Sequence, residues 1–367
     1  MTIASATVES AVRNQMHRQE QNRLALRIWL GVVIFTLFCL VLVGGATRLT
    51  DSGLSITEWK PIHGVIPPLS AEEWDEEFKL YQRIPQYSEM NMHMTVEEFK
   101  TIFWWEWVHR LLARGIGLVF ALPLAFFWAT GRIERRLRLP LLGLLALGGF
   151  QGFVGWWMVT SGLANRVDVS QYRLAVHLVI ACMIFAWCVW IMRGLARHSD
   201  DPIPSTGART MAIVLAVMVL FQIYLGALVA GLDAGLSYTT WPQMDGALIP
   251  SDLFIQKPWW INLFENPKTV QFVHRLGAYT LLLLALIHMI QCLRLAPETT
   301  HARRSVVLFM LIVLQAVIGI TTLVLQVPLF WALMHQGVGL VVLGFAVAHC
   351  RGFYGEYPLE TSVAVAD

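Results

Sequence analysis

Eight long apolar stretches constrain the fold of this chain more than any other feature. Each holds about 20 mostly apolar residues, the length that a helix needs to cross a hydrocarbon layer in which backbone groups must pair with one another. Hydrophobic residues make up 56% of the chain and charged residues only 14%, too few to coat a soluble globule. We therefore predict an all-α polytopic membrane protein. The predicted spans are 26–46, 103–130, 139–160, 174–192, 210–232, 270–293, 305–327 and 331–350.

Basic residues concentrate on one side of this arrangement. Of the 27 Lys and Arg, 15 lie before the first span, in the short connections after spans two, four and six, or just after the last span. Short loops that stay in the cytoplasm carry such an excess. We expect both termini there, with segments 1–27, 194–209 and 351–367 on the same side. The net charge of +2 and the scattered basic residues indicate no nucleic-acid partner.

The chain contains an internal repeat. The sequence DSGLS that begins at Asp51 corresponds to DAGLS from Asp233, and HRL from His109 corresponds to HRL from His274. We predict two four-helix bundles, 28–193 and 210–350, joined by a linker at 194–209. Because four spans return the chain to its starting side, the two halves are expected to be parallel repeats about an axis along the membrane normal.

Four histidines occupy matching positions in these halves. His109 and His274 lie early in spans two and six, and His177 and His335 lie early in spans four and eight. Ionisable residues inside a membrane are rare and mark functional sites. Imidazole is a good iron ligand, and a four-helix bundle can hold a cofactor between facing helices. We expect each half to hold one heme between its two histidines.

Arginines accompany these histidines. Arg110 and Arg275 directly follow a histidine, Arg114 is one turn further on, and Arg173 lies four residues before His177. Their guanidinium groups are candidate partners for heme propionates. The alternative is that each extends to the lipid headgroups.

The remaining histidines have weaker patterns. His288 and His349 have no counterpart in the N-terminal half, and we interpret them as structural. Surface positions are expected for His17, His63, His93, His198 and His301.

The halves differ three residues before the first histidine of each pair, where Glu106 in one half corresponds to Gln271 in the other. Glu106 shares a helix face with His109 and can reach Arg110. Glutamate can take up protons or stabilise positive charge, whereas glutamine does not ionise. The alternative is a structural pairing of Glu106 with Arg110. The asymmetry predicts chemistry in the first half and electron storage or relay in the second.

These motifs together resemble the heme A synthase family, which converts heme O to heme A for cytochrome oxidase. They extend from GGATRLT through ExxHR, the histidine of span four and the second HR pair to MHQ; their first residues are Gly44, Glu106, His177, His274 and Met334. Some members of the family have a cysteine pair in the first outer loop. This chain has none there and resembles the cysteine-free members.

The resemblance implies specific roles for the candidate residues. His109 and His177 would bracket the substrate heme O, His274 and His335 would ligate a heme b cofactor, and Glu106 would be the catalytic carboxylate. The enzyme would be an oxidoreductase that hydroxylates a porphyrin methyl group with oxygen from water and then dehydrates it to a formyl group.

The resemblance also bears on location and partners. We expect a multi-pass protein of the bacterial inner membrane. Analogy with the family suggests heme O synthase and cytochrome oxidase assembly factors as partners. A homo-oligomer stays open.

Two other functions compete with this interpretation. A diheme b-type electron carrier would leave its hemes unmodified, but it is best served by hemes at opposite leaflets, whereas all four histidines are predicted in the outer half. A transporter would need a substrate path, and the sequence offers no convincing acidic relay or broken helix.

Overall fold

The computed structural model describes residues 3–59 and 63–359, which form helices and loops without a β-strand. The helices are α1 (Ile3–Leu49), α2 (Ala71–Tyr81), α3 (Pro85–Met90), α4 (Val96–Ala129), α5 (Arg135–Val159), α6 (Gln171–Gly194), α7 (Thr206–Gly231), α8 (Asn262–Glu265), α9 (Pro267–Leu295), α10 (Thr300–Val324) and α11 (Leu329–Gly352). In the described residues, eight helices are long and apolar enough to span a membrane, namely α1, α4, α5, α6, α7, α9, α10 and α11. The all-helical prediction with eight spans is confirmed.

The largest boundary difference is in α1. The apolar stretch begins at residue 26, but the helix has 47 residues from Ile3 to Leu49, or about 70 Å at the usual helical rise. That exceeds the roughly 45 Å thickness of a whole bilayer, so one end of α1 projects beyond the membrane. Hydropathy could not predict this extension because its residues are polar. The ends of the predicted segments 1–27 and 351–367 lie outside the described residues, and the domain division stays a prediction.

The spanning helices form two rings of four. In the first half α1, α4, α5 and α6 contact one another in sequence around a ring, and in the second half α7, α9, α10 and α11 do the same. Contacts of α6 with α7 and α11, and of α1 with α11, join the two rings. Buried residues of both halves, such as Leu30, Cys188, Leu215 and Leu343, share one core. The relation of the halves by an axis along the membrane normal stays a prediction.

One end of the bundle, here called the long-loop end, carries connections 50–95, 160–170, 232–266 and 325–328. There, Arg48 at the end of α1 lies 3.1 Å from Asp51, 3.5 Å from Asp168 and 2.7 Å from Asp233. Asp51 and Asp233, which follow α1 and α7, both adopt left-handed backbone conformations, with φ of 51° and 48°, a region that Asp tolerates better than most residues. The repeated sequence thus forms a repeated turn, and Arg48 forms ion pairs with the aspartates of both turns.

The opposite, short-loop end carries connections 130–134, 195–205 and 296–299. Arg23 of α1 and Glu134, which caps α5, form a buried ion pair with Nε 2.5 Å from Oε1. Arg23 also donates to the backbone carbonyl of Pro358 at 2.9 Å. This pair joins the long first helix to the rest of the bundle at that end.

Residues 71–81 of the first long loop, an acidic and amphipathic stretch, form α2. Ser70 and Glu73 form a reciprocal cap at its start. Its apolar face packs on α4, with the rings of Phe78 and Tyr81 centred 5.2 and 5.3 Å from that of Phe99. α2 therefore covers the first turns of α4, the helix that carries Glu106 and His109.

Candidate functional site

Each of the four predicted histidines lies on a different spanning helix and packs against a glycine of a neighbouring helix. A methyl group built on that glycine would lie 2.7–3.2 Å from Cε1 of the imidazole, closer than ordinary packing allows. Glycine therefore permits the approach of the ring in every case. The pairs are His109 with Gly44, His177 with Gly155, His274 with Gly226, and His335 with Gly319.

The two histidines of the second half face each other across their ring of helices. The imidazole centroids of His274 and His335 are 6.5 Å apart, and the planes are inclined at 81°. Two metal–nitrogen bonds of about 2 Å each, with half of each imidazole ring added, span roughly this distance. The donor set is two imidazoles, which suits iron in a porphyrin. This pair therefore fits a heme with an axial ligand on each face.

Three of the four histidines are held by a glutamine from the helix that also supplies the glycine. In each case the glutamine Nε2 lies 3.0–3.1 Å from Nδ1 of the imidazole and donates to the backbone carbonyl of the same histidine at 2.8 Å. An amide nitrogen is a donor, so Nδ1 is the acceptor of this contact, which fixes the orientation of each ring. The pairs are Gln151 with His177, Gln222 with His274, and Gln315 with His335.

His109 is held differently. Its buried Nδ1 has no side-chain hydrogen-bond partner among the described residues. The corresponding residue of α1, four positions before Gly44, is Leu40, which offers the ring only its backbone carbonyl. The first histidine of the first half thus has a glycine beside it but no amide.

Glu106 lies one turn before His109 in a buried hydrogen-bond network. Its Oε2 accepts from the hydroxyl of Ser55 at 2.8 Å and from the backbone N–H of Ile56 at 2.7 Å. Its Oε1 accepts from Nε and a terminal nitrogen of Arg110 at 3.1 and 2.6 Å. With 2% of its surface exposed, the carboxylate is fixed in position by a cation and by the first residues of the long loop. The contact with Arg110 is confirmed, and the role of Glu106 stays a prediction.

The second half has the same architecture without the charge pair. The amide nitrogen of Gln271 donates to the backbone carbonyl of Tyr238, the counterpart of Ile56, at 2.9 Å. Arg275 donates to the carbonyls of Tyr238 and Gln243 at 3.2 and 3.3 Å. In the second half an amide therefore binds the loop, and at this position only the first half has a carboxylate.

The candidate propionate partners Arg110 and Arg173 lie at the long-loop end, where they donate to backbone carbonyls. Arg110 donates to the carbonyls of Ile56 and Glu58 at 2.7 and 3.2 Å. Arg173 donates to the carbonyl of Trp157 at 2.6 Å and lies over its ring, 4.6 Å from the centroid. Positive charge is therefore concentrated beside the histidines. Binding of propionates by these groups stays a prediction.

Comparison with known proteins identifies the family. The family model described as cytochrome oxidase assembly protein matches residues 27–347. Proteins named heme A synthase from Rhizobium etli (strain CFN 42) and Rhizobium meliloti (strain 1021) are 69% and 70% identical over all 367 residues, and the whole length of each is covered. One from Allorhizobium ampelinum is 71% identical over 364 residues, which cover 99% of this chain and all of the relative. The chain belongs to the heme A synthase family. The resemblance inferred from its motifs is confirmed.

The glutamines are the main residues of this family member that the sequence did not reveal. A single uncharged glutamine in an apolar helix draws little attention, although it must find a hydrogen bond there. The available signal was the spacing, because a glutamine precedes a glycine by four residues in three spans, at Gln151, Gln222 and Gln315. Four residues correspond to about one helical turn, so both side chains lie on one face.

The remaining histidines lie away from these pairs. His288 and His349 are buried and contact each other through their Nε2 atoms at 2.8 Å, which agrees with a structural role. The surface position expected for His301 is wrong: it is 5% exposed, and its ring lies 4.4 Å from that of Phe353. Phe353, the residue directly after α11, covers the imidazole of His301. The side chain of His63 lies outside the described residues.

The glycines that pack against the histidines lead to a testable prediction. In Gly319→Ala, the new methyl group would lie 2.7 Å from Cε1 of His335. Overpacking of this kind costs about 1–3 kcal/mol, so heme affinity in the second half should fall about tenfold or more. Absorbance titration of the purified protein with heme b measures this affinity.

The matched control is Gly148→Ala on α5, where a methyl group would meet nothing within 4 Å. It should bind heme b as the parent chain does. Equal heme b affinity in the two variants would show that the glycine does not set the position of the histidine.

Proposed function

We propose that this chain is a heme A synthase, an oxidoreductase that converts a methyl group on the rim of heme O into the formyl group of heme A, for use by cytochrome oxidase. Relatives with that name match it at 69–71% identity over essentially their whole length. The observation that carries the proposal is a pair of facing imidazoles spaced for a heme iron, together with a second histidine pair that lies beside a carboxylate.

The first half is proposed to bind the substrate. His109 and His177 project from α4 and α6, two helices of the first ring, and would hold heme O between them. Support comes from the position of Glu106, which is one helical turn from His109 and has a glutamine as its counterpart in the other half. At this position, one turn before the first histidine of each pair, the first half therefore has an ionisable group and the second half has an amide.

Glu106 is proposed as the catalytic residue. Oxidation of a methyl group to a formyl group with water as oxygen source releases four electrons and four protons, so the reaction needs an external electron acceptor as well as a proton acceptor at the site. Arg110, Ser55 and Ile56 hold the carboxylate at a fixed position. From there it either takes up protons or stabilises positive charge that develops on the substrate.

The second half is proposed to hold heme b through His274 and His335. When bound, heme b supplies a one-electron relay for the oxidation. Gln336, the residue after His335, donates to the backbone carbonyl of Val41 at 3.0 Å. Val41 is less than one helical turn from Gly44, the glycine that packs against His109. A short path through α1 and α11 thus connects the two sites and supports their cooperation.

The arginines at the long-loop end are proposed to bind the propionates. Arg110, Arg114 and Arg173 would serve the substrate heme and Arg275 would serve heme b. Their guanidinium groups provide paired N–H donors suited to carboxylates. These arginines would then hold the propionates at the long-loop end of the bundle.

The chain is a multi-pass membrane protein, and we propose that both termini face the cytoplasm of a bacterial cell. The basic short loops support this orientation. Heme O is then bound near the outer surface. Partnership with heme O synthase and with assembly factors of cytochrome oxidase is proposed by analogy with the family.

The test is conversion of added heme O by the purified full-length protein in detergent with an added one-electron oxidant, with pigments extracted and separated at intervals. The expected result is heme A that accumulates while heme b stays constant. Recovery of unchanged heme O under oxidising conditions, with both histidine pairs occupied, would instead indicate a diheme electron carrier.

A further inference from the structure

Three methionines and a histidine lie close together in the first long loop. Met90, Met92, His93 and Met94 fall within five residues, although the whole chain has 14 methionines in 367 residues. All four line one cavity of about 520 Å³ at the long-loop end. None of them belongs to the histidine pairs described above, so this cavity is a separate feature of the molecule.

Most of these side chains are open to solvent. Met90 and Met92 are 50% and 60% exposed, and His93 is exposed, as its sequence position predicts. Met94 is partly buried against the apolar cluster that joins α2 to α4. Single apolar side chains on a surface are ordinary, whereas a group of them at one place marks a binding site.

The turn that carries these side chains has an anchored backbone. The side-chain amide of Asn91 donates to the hydroxyl of the buried Tyr81 at 2.7 Å. The hydroxyl of Tyr87 donates to the backbone carbonyl of Met92 at 3.0 Å. These contacts fasten the turn to α2 and α3. The sulfur atoms therefore project from a backbone that is already held in place without a ligand.

The donor atoms at this cavity favour one kind of metal ion. Thioether sulfur is a soft ligand that selects Cu(I), and imidazole suits copper as well, whereas Mg²⁺ and Ca²⁺ require oxygen. The carboxylates of Glu89 and Glu98 also line the cavity, but Glu98 caps α4 by accepting from the N–H and the hydroxyl of Thr95. Among the described residues, these carboxylates and His93 form no group that could hold a metal ion by themselves. Sulfur therefore decides which ion binds.

We propose that Met90, Met92 and His93 form a Cu(I) site on the surface of the long-loop end, with Met94 as a further thioether donor. The site is separate from the candidate heme ligands and does not depend on the proposed activity. Because its donors are exposed, the ion can enter and leave without unfolding of the chain. With both termini in the cytoplasm, the site lies in the compartment where free thiols are oxidised to disulfides, a reaction that a thioether cannot undergo.

Copper retention by the full-length protein in detergent tests this site. The purified chain is incubated with Cu(I) and ascorbate without oxygen, equilibrated with bathocuproine disulfonate as a competing ligand, and separated by gel filtration before atomic absorption. The parent protein should retain one Cu(I) ion per chain at this site, and excess Zn²⁺ should not displace it. Met90→Leu combined with Met92→Leu should lower the Cu(I) affinity at least about tenfold, because even an outer partner of a metal ligand contributes that factor.

The five cysteines are the other soft ligands of the chain, and all of them lie in spanning helices. X-ray absorption at the copper edge distinguishes the two sources of sulfur. Sulfur scattering should fall in the variant with both methionine substitutions. Undiminished sulfur scattering there would place the copper on cysteine and overturn the proposal.

The matched control is Met16→Leu, because Met16 is also exposed, at 43%, but lies on α1 outside the cavity. It should retain copper as the parent chain does. Leucine is close to methionine in volume, so both kinds of variant should keep the fold, which circular dichroism checks.

Three results would contradict the site. They are equal copper affinity in the parent and the double variant, an equal loss in Met16→Leu, and displacement of the copper by Zn²⁺. If the double variant does not fold, His93→Ala decides. It should also bind Cu(I) more weakly than the parent, and an unchanged affinity overturns the proposal.

Discussion

Replacement of Glu106 with glutamine is expected to lower the rate of heme A formation by about 100-fold or more, while heme b remains bound. General acid–base groups contribute about this much to a rate, and the variant removes the ionisable group. The fold should tolerate the change, because Gln271 occupies the equivalent position of the second half and is equally buried. Pigment extraction at timed intervals measures heme A, and the heme b absorbance of the same sample measures cofactor retention.

The matched control is Glu134→Gln. Glu134 is also a buried carboxylate paired with an arginine, Arg23, but it lies at the short-loop end of the bundle. Loss of one partner of a buried ion pair is expected to lower stability by about 3–5 kcal/mol without affecting the rate per folded molecule. A Glu106→Gln enzyme with the parent rate would remove this carboxylate from the mechanism and leave it as a partner of Arg110.

Replacement of His274 or His335 with alanine is expected to remove heme b and leave the substrate site able to bind heme O. The two rings are spaced for axial ligation on both faces. Even an outer partner of a metal ligand contributes about tenfold or more to affinity, so loss of the ligand itself should lower heme b content by at least that factor. His109→Ala and His177→Ala should show the converse pattern.

Heme content per chain, determined from extracted pigments, measures this effect. His288→Ala is the control, because His288 is another buried intramembrane histidine, and its contact is His349 rather than a candidate ligand. It should retain both hemes. Loss of the substrate heme alone from the His274 or His335 variants would mean that the roles of the two halves are reversed.

Much of the fold follows from local patterns in the sequence. The eight spans could be predicted because the membrane requires long apolar helices, and the repeat could be predicted because DSGLS and DAGLS recur at a constant interval. The polar start of α1 could not, since a helix outside the membrane carries no hydropathy signal. Burial of His301 also depends on residues distant in sequence, where Phe353 covers its ring.

The candidate site shows the same division. The histidines and Glu106 could be selected because ionisable residues are costly in lipid. Its contact with Arg110 could be predicted from the spacing, but its loop partners could not, because Ser55 and Ile56 reach it from about 50 residues away in sequence.

The central claim is that one chain contains two bis-histidine heme sites and modifies the heme of only one. It is tested most directly by pigment analysis of the purified protein before and after incubation with heme O. We predict one heme b per chain that is unchanged by the incubation, and a second heme that is recovered as heme A. A colourless protein, or a second heme recovered as unaltered heme O, would contradict the account.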